Sequence, residues 1–163
     1  MQFIKTVLCL TLVALAASGC AAVHNVFHKE EVTAVRIHEQ VDAATPPQYS
    51  SVADIPQANL KLTISLFPTL SENNVLSAAL YDTAGGKAIL LRFDGHGTFL
   101  LDECTTRNRG RYLVTIIDNH PVAAWLVDHR IENGQFLVEG DFTDEEAKRV
   151  VDILNKMAKK THQ

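Results

Sequence analysis

Two cysteines and a histidine pair are the residues of this chain whose types and spacing bear on chemistry. Cys20 closes the hexamer Leu15-Ala16-Ala17-Ser18-Gly19-Cys20. Small residues ahead of a cysteine let an extended backbone enter a peptidase, and a thiolate is nucleophilic enough to accept a diacylglyceryl group. The hexamer is the signature of a bacterial lipoprotein and predicts acylation at Cys20 with cleavage before it. Cys104 has His96 eight residues upstream on one predicted helix. Eight residues separate the two by about 12 Å along a helix axis and ~80° around it, so they are not on one face within reach, the thiol lacks the base a nucleophile needs, and Cys104 reads as a small core hydrophobe. His24 and His28 would share one face of a helical turn, with Glu30, Glu31 and His38 beyond. No third ligand follows at firm spacing, so a solvated spacer is expected and no metal site. Asp82, Asp94 and Asp118 have turn and cap duties, which leaves no carboxylate pair for acid–base work. Gly95-His96-Gly97 lacks the third glycine and the lysine of a phosphate-cradling loop. The expectation is therefore a protein without catalytic residues or cofactor, whose one modified side chain is Cys20.

Residues 7–17 are apolar apart from Thr11. A run of about 11 residues is too short for a hydrocarbon core that needs ~20, which marks a signal peptide over residues 1–19. A lipid-anchored tether over residues 20–31 and one domain over residues 32–160 would follow. Two or three acyl chains hold a protein to a bilayer almost permanently. The chain is thus expected on a membrane, facing the periplasm. Ala21, rather than an acidic residue, follows the cysteine, and in similar lipoproteins this favours the outer membrane. Lys5 is the one charged residue before Cys20, so 15 basic and 19 acidic side chains become 14 and 19, and the formal net charge of -4 becomes -5. That balance argues against nucleic acid as a partner. Cys9 leaves with the signal and Cys20 is acylated, so Cys104 has no internal disulfide partner.

The elements that follow are legible to different degrees. Residues 33–38 read as a short strand, and residues 43–59, with Pro46, Pro47 and Pro56, as a surface loop. Leu60, Leu62, Ile64 and Leu66 alternate with polar residues as in a half-buried strand. Residues 75–81 and 87–93 form two more, joined through Gly85 and Gly86. Asp94 caps a helix over residues 95–108 that Gly110 stops. Residues 111–118 and 122–128 reverse at Asn119, and Asn133-Gly134 is a strong hairpin signal joining the latter strand to residues 135–139. Thr143 and Glu146 form a capping box for a helix carrying Ala147, Val150, Val151, Leu154 and Met157 at helical spacing, with Lys156, Lys159 and Lys160 toward its end. This order does not alternate as βαβα. It predicts an α+β two-layer sandwich, with one largely antiparallel sheet and two helices packed on one face.

Several of these pieces together resemble a known family. Asp94, Gly97, Asn108, Gly110, Leu113 and the run Val114-Thr115-Ile116-Ile117-Asp118-Asn119 look like the helix–turn–strand in the head of the first periplasmic domain of SecD, a subunit of the SecDF protein-export machinery. Gly140-Asp141-Phe142-Thr143-Asp144-Glu145-Glu146-Ala147 is similar to that family's closing G-x-F-T-x-E-E-A. Leu70-Ser71 with Val75 and Ala78, and Val35-Arg36-Ile37, match upstream pieces, so the resemblance covers about residues 32–157. Trp125 departs from the pattern, standing where the family usually carries proline. The family's membrane helices and the base of its periplasmic domain have no counterpart here. The resemblance implies the head's role alone: binding protein or extended polypeptide in connection with export or envelope biogenesis, by strand addition to a sheet edge. The alternative is an architectural lipoprotein that docks on one folded envelope complex.

Overall fold

The computed structural model describes residues 33–161, all within the unit Val32–Gln163. Cys20, the expected tether, His24 and His28 lie outside the described residues. The elements are β1 (Val35–Glu39), β2 (Ser50–Ile55), β3 (Leu60–Ser65), β4 (Leu70–Ser71), β5 (Val75–Thr83), β6 (Gly86–Phe93), α1 (Gly95–Arg107), β7 (Tyr112–Ile117), β8 (His120–Leu126), β9 (Gln135–Phe142) and α2 (Asp144–Thr161). The class is α+β, and the paired strands run antiparallel.

The single expected sheet is in fact three, ordered β4-β1-β7-β8, β2-β3 and β5-β6-β9. The reason lies in β7, where Leu113, Val114 and Thr115 are all buried. Successive side chains of a strand point to opposite faces, so β7 must be covered on both. On one face Leu113 and Ile117, with Val35 and Ile37 of β1, join the main core with Ile89 and Leu91 of β6, Phe136 and Val138 of β9, Leu101 and Cys104 of α1, and Val150 and Leu154 of α2. On the other, Val114 packs against Ala53, Ile55, Leu62 and Ile64 of the β2–β3 hairpin.

That hairpin corrects the expected loop over residues 43–59, which contains β2. The strand escapes detection because only Ala53 and Ile55 are buried along it, too few for a visible alternation. Its partner makes it a strand, with β3 pairing every residue from Ser50↔Ser65 to Ile55↔Leu60.

The helices start where their caps predict. The Asp94 carboxylate accepts from Gly97 N at 2.7 Å. Gly97 is a packing requirement, since an added Cβ would stand 2.9 Å from the Cβ atoms of both Asn74 and Phe93. For α2, Glu146 N donates to Thr143 Oγ1 at 3.2 Å while Glu146 Oε2 accepts from Thr143 N at 3.0 Å, a closed capping box. At the far end of α1, Glu39 accepts from Thr69 Oγ1 and Arg107 Nη2, each at 2.7 Å, and from Asn108 Nδ2 at 2.8 Å. One carboxylate thereby ties the end of β1 to the helix C-terminus.

Candidate functional site

The Asn133-Gly134 signal does not make the expected hairpin. β8 ends one sheet and β9 ends another, and two sets of contacts keep them apart. The connection over residues 127–134 is first drawn onto α1. The Arg130 guanidinium grips Asp102 through Nε and, at 2.8 Å, through Nη2, and Ile131 N donates to the buried Thr105 Oγ1 at 3.0 Å. The Gly134 carbonyl accepts from Phe93 N at 2.9 Å, which leads the chain onto β6 instead. Gly134 has φ +65°, and a Cβ there would fall 2.1 Å from Thr98 Oγ1. The glycine thus serves the close approach of α1 as well as the turn.

The second set is a pair of opposed bulges. The β7–β8 register slips between Thr115↔Ala123 and Ile116↔Pro121, leaving Val122 as the extra residue. Its carbonyl accepts from Gln57 Nε2 at 2.6 Å. The β6–β9 register slips between Ala88↔Glu139 and Lys87↔Phe142, leaving Gly140 and Asp141 extra. A Cβ on Gly140 would lie 3.0 Å from Val122 O, so the two strands touch at their bulges. Bulges bend strands and end ladders.

Where the strands do not touch lies a cleft of about 530 Å³ lined by Trp125 of β8, Ile131, and Gln135, Phe136, Leu137 and Glu139 of β9. A narrow extension runs beside Ala123 and Ala124. Trp125 meets Phe136 edge to face at 5.7 Å between centroids, and His129 likewise at 5.4 Å. At the rim, Arg130 Nη1 lies 2.7 Å from Glu132 Oε1, and His129 Nδ1 lies 2.5 Å from Asp128 Oδ1. The hydrogen bond from His129 holds the Asp128 carboxyl below its usual range. The arrangement offers an aromatic and aliphatic wall, an acidic rim and two strand edges, which is the equipment of a binding groove.

The edges at β5 and β4 are less available. On β5, the Asn155 side chain of α2 accepts from Ala78 N through Oδ1 and donates to Ala78 O through Nδ2, both at 2.9 Å. This amide occupies the edge as a neighbouring strand would. β4 has two residues. β2 also lies at an edge, and around its hairpin Tyr49, Val52, Leu66 and Phe67 are exposed at 55, 61, 45 and 67%.

Cys104 is fully buried and its thiol is pushed up to about 12, chiefly by burial and then by the Glu39 charge. His96 sits in the exposed first turn of α1, two turns from that thiol. His120 and His129 are surface residues. Among the described residues, no three His, Cys, Asp or Glu side chains gather as metal ligands. Sequence reasoning missed the roles of Phe136 and Asn155 and saw Trp125 only as a departure from the family pattern. A polar residue beside Val151 and Leu154 on the apolar face of α2 was the available hint for Asn155.

A family model described as the SecDF P1 head subdomain matches residues 52–158. The protein translocase subunit SecD of Desulfurispirillum indicum is 37% identical over 59 residues, which are 36% of this chain and 12% of that protein. SecD of Rickettsia bellii is 30% identical over 78 residues, 48% of this chain and 15% of that protein. The matched stretches thus amount to about an eighth of the length of these relatives. A solved structure of SecDF, a membrane component that enhances protein export, superposes with TM-score 0.60 at 16% identity, covering 77% of this chain and 63% of that one. SecDF in its super-membrane-facing form gives TM-score 0.59 at 16% identity over 76% of this chain and 18% of that one. At these identities the structural likeness concerns the fold alone.

Proposed function

The chain belongs to the SecDF P1 head family, and from that premise we propose that it is a non-enzymatic binding module for extended polypeptide, held at the cell envelope by lipid on Cys20 and acting in connection with protein export. The observation that carries the binding role is the cleft between the unpaired edges of β8 and β9. An extended segment entering there finds backbone groups to pair with and an apolar wall for alternate side chains.

The anchor rests on the hexamer ending at Cys20. Among the described residues, no helix is long and apolar enough to cross a membrane. A periplasmic orientation accords with the family, and Ala21 favours the outer membrane as the anchoring side.

A second reading is docking on one folded envelope complex, favoured by the exposed Tyr49, Val52, Leu66 and Phe67 around the β2–β3 hairpin. Large apolar side chains exposed around one hairpin are candidate protein contacts. Titrating unfolded secretory polypeptides into isotopically labelled protein separates the two. Amide shifts along β8 and β9 support polypeptide binding. An unperturbed cleft, with one folded envelope protein co-purifying stoichiometrically, supports docking.

A further inference from the structure

We infer that the β8–β9 cleft selects extended segments with an apolar-x-basic pattern, in which a lysine or arginine stem lies along Trp125 and its charge reaches Glu139. This rests on the polypeptide-binding reading above and specifies its ligand.

Phe136 and Val138 of β9 point into the core, which turns Gln135, Leu137 and Glu139 to the other face. A strand added parallel to β9 presents residues i and i+2 beside Leu137 and Glu139, about 7 Å apart at ~3.3 Å rise per residue, and one added antiparallel presents the same pair in reverse order. The first contact wants an apolar side chain. The second is decided by charge. Two carboxylates, Glu132 and Glu139, line the opening, and two more, Asp102 and Asp128, engage its Arg130 and His129. Two arginines stand among these residues: the Arg130 guanidinium is committed through Nε and Nη2 to Asp102 and through Nη1 to Glu132, and Arg109 Nη2 donates to the Asp128 carbonyl at 2.7 Å. His129 is engaged by Asp128. The Glu139 carboxylate has no hydrogen-bond or ion-pair partner among the described residues, yet it lines both the cleft and its narrow extension beside Trp125 and Leu137. An unmatched carboxylate at the end of an apolar wall suits a side chain with an aliphatic stem and a cationic head.

Trp125 is the chain's one tryptophan, so its fluorescence reports directly on the cleft. The test titrates the full chain with three alternating Thr/Val nonapeptides whose centres read Leu-Thr-Lys, Leu-Thr-Gln and Leu-Thr-Glu. The lysine peptide is expected to bind about fivefold tighter than the glutamine peptide at low salt, with the glutamate peptide weakest, the size a half-exposed ion pair contributes. In Glu139→Gln the lysine preference should vanish, with an unchanged circular dichroism spectrum and denaturation midpoint showing that the variant is folded. Equal affinities in the wild type, or a preference that survives Glu139→Gln, overturns the basic specificity and leaves polypeptide binding standing. Silence of Trp125 and of the β8 and β9 amides with every peptide overturns the binding reading itself.

Discussion

Trp125 near the end of β8 and Phe136 near the start of β9 meet edge to face, 5.7 Å between centroids, although their strands belong to different sheets. The ring pair joins two sheet edges that bulges at Val122 and Gly140 keep from forming a ladder. It sets the width of the cleft and fastens the sheets on either side of it.

Removing that joint is expected to be costly. Phe136 is 2% exposed, and Phe136→Ala should destabilise the domain by about 3–5 kcal/mol. A double-mutant cycle with Trp125→Leu and Phe136→Leu, read by chemical denaturation, should return a coupling of about 1 kcal/mol. A coupling near zero would mean that the rings only touch.

The Asn155–Ala78 pair yields a second prediction. Asn155→Ala strips partners from a half-buried N–H and C=O, and should lower stability by about 2 kcal/mol. It also bares an edge whose Leu76, Leu80 and Tyr81 are already exposed. Sedimentation at rising concentration should then reveal self-association through β5 in the variant and less in the wild type.

Acid should act in two stages. His38 Nδ1 donates to the Ser65 carbonyl at 2.9 Å. Burial first, and the Arg36 charge after it, hold the imidazole below its ordinary 6.5 despite that bond. Because the folded state disfavours the proton, the contribution of His38 is complete above pH 6.5 and is lost as pH falls through the lowered folded value. His38→Asn, which keeps a donor toward Ser65 without titrating, should flatten this first fall in the denaturation midpoint. For Glu39, burial works upward, but hydrogen bonds from Thr69, Asn108 and Arg107 outweigh it and lower its pKa below 4.5. Its contribution is present above pH 4.5 and is lost at lower pH, a second fall that Glu39→Gln should remove.

Cys104 should resist thiol reagents in the native protein and react once unfolded, since its thiol is both buried and raised to about 12. Cys104→Ala should cost about 1 kcal/mol, well below the penalty for emptying a large aliphatic side chain. Rapid labelling of the native chain would overturn the core assignment.

Lipidation at Cys20 predicts that the mature product begins at Cys20 and carries acyl chains by intact mass. It should partition with membranes, and Cys20→Ser should release it from them. A water-soluble wild-type product beginning elsewhere would end the claim.

How far the chain could be read in advance follows from the range of each signal. Residues within four positions of one another determine the Asp94 and Thr143 caps and with them the starts of α1 and α2, because a hydrogen bond to a nearby amide needs no distant partner. The ordered matches from Val35 to Ala147 likewise point to the family without coordinates. β2 required its partner, since two buried residues in six leave no period to detect. The division into three sheets required β7 to be covered on both faces, which its apolar run permits without specifying. Most clearly, Asn133-Gly134 favours a hairpin locally, yet Arg130 binding Asp102, Thr105 holding Ile131 and bulges at Val122 and Gly140 overrule it. Those contacts join residues far apart in the chain, so only the tertiary structure could decide that β8 and β9 separate and leave a cleft between them.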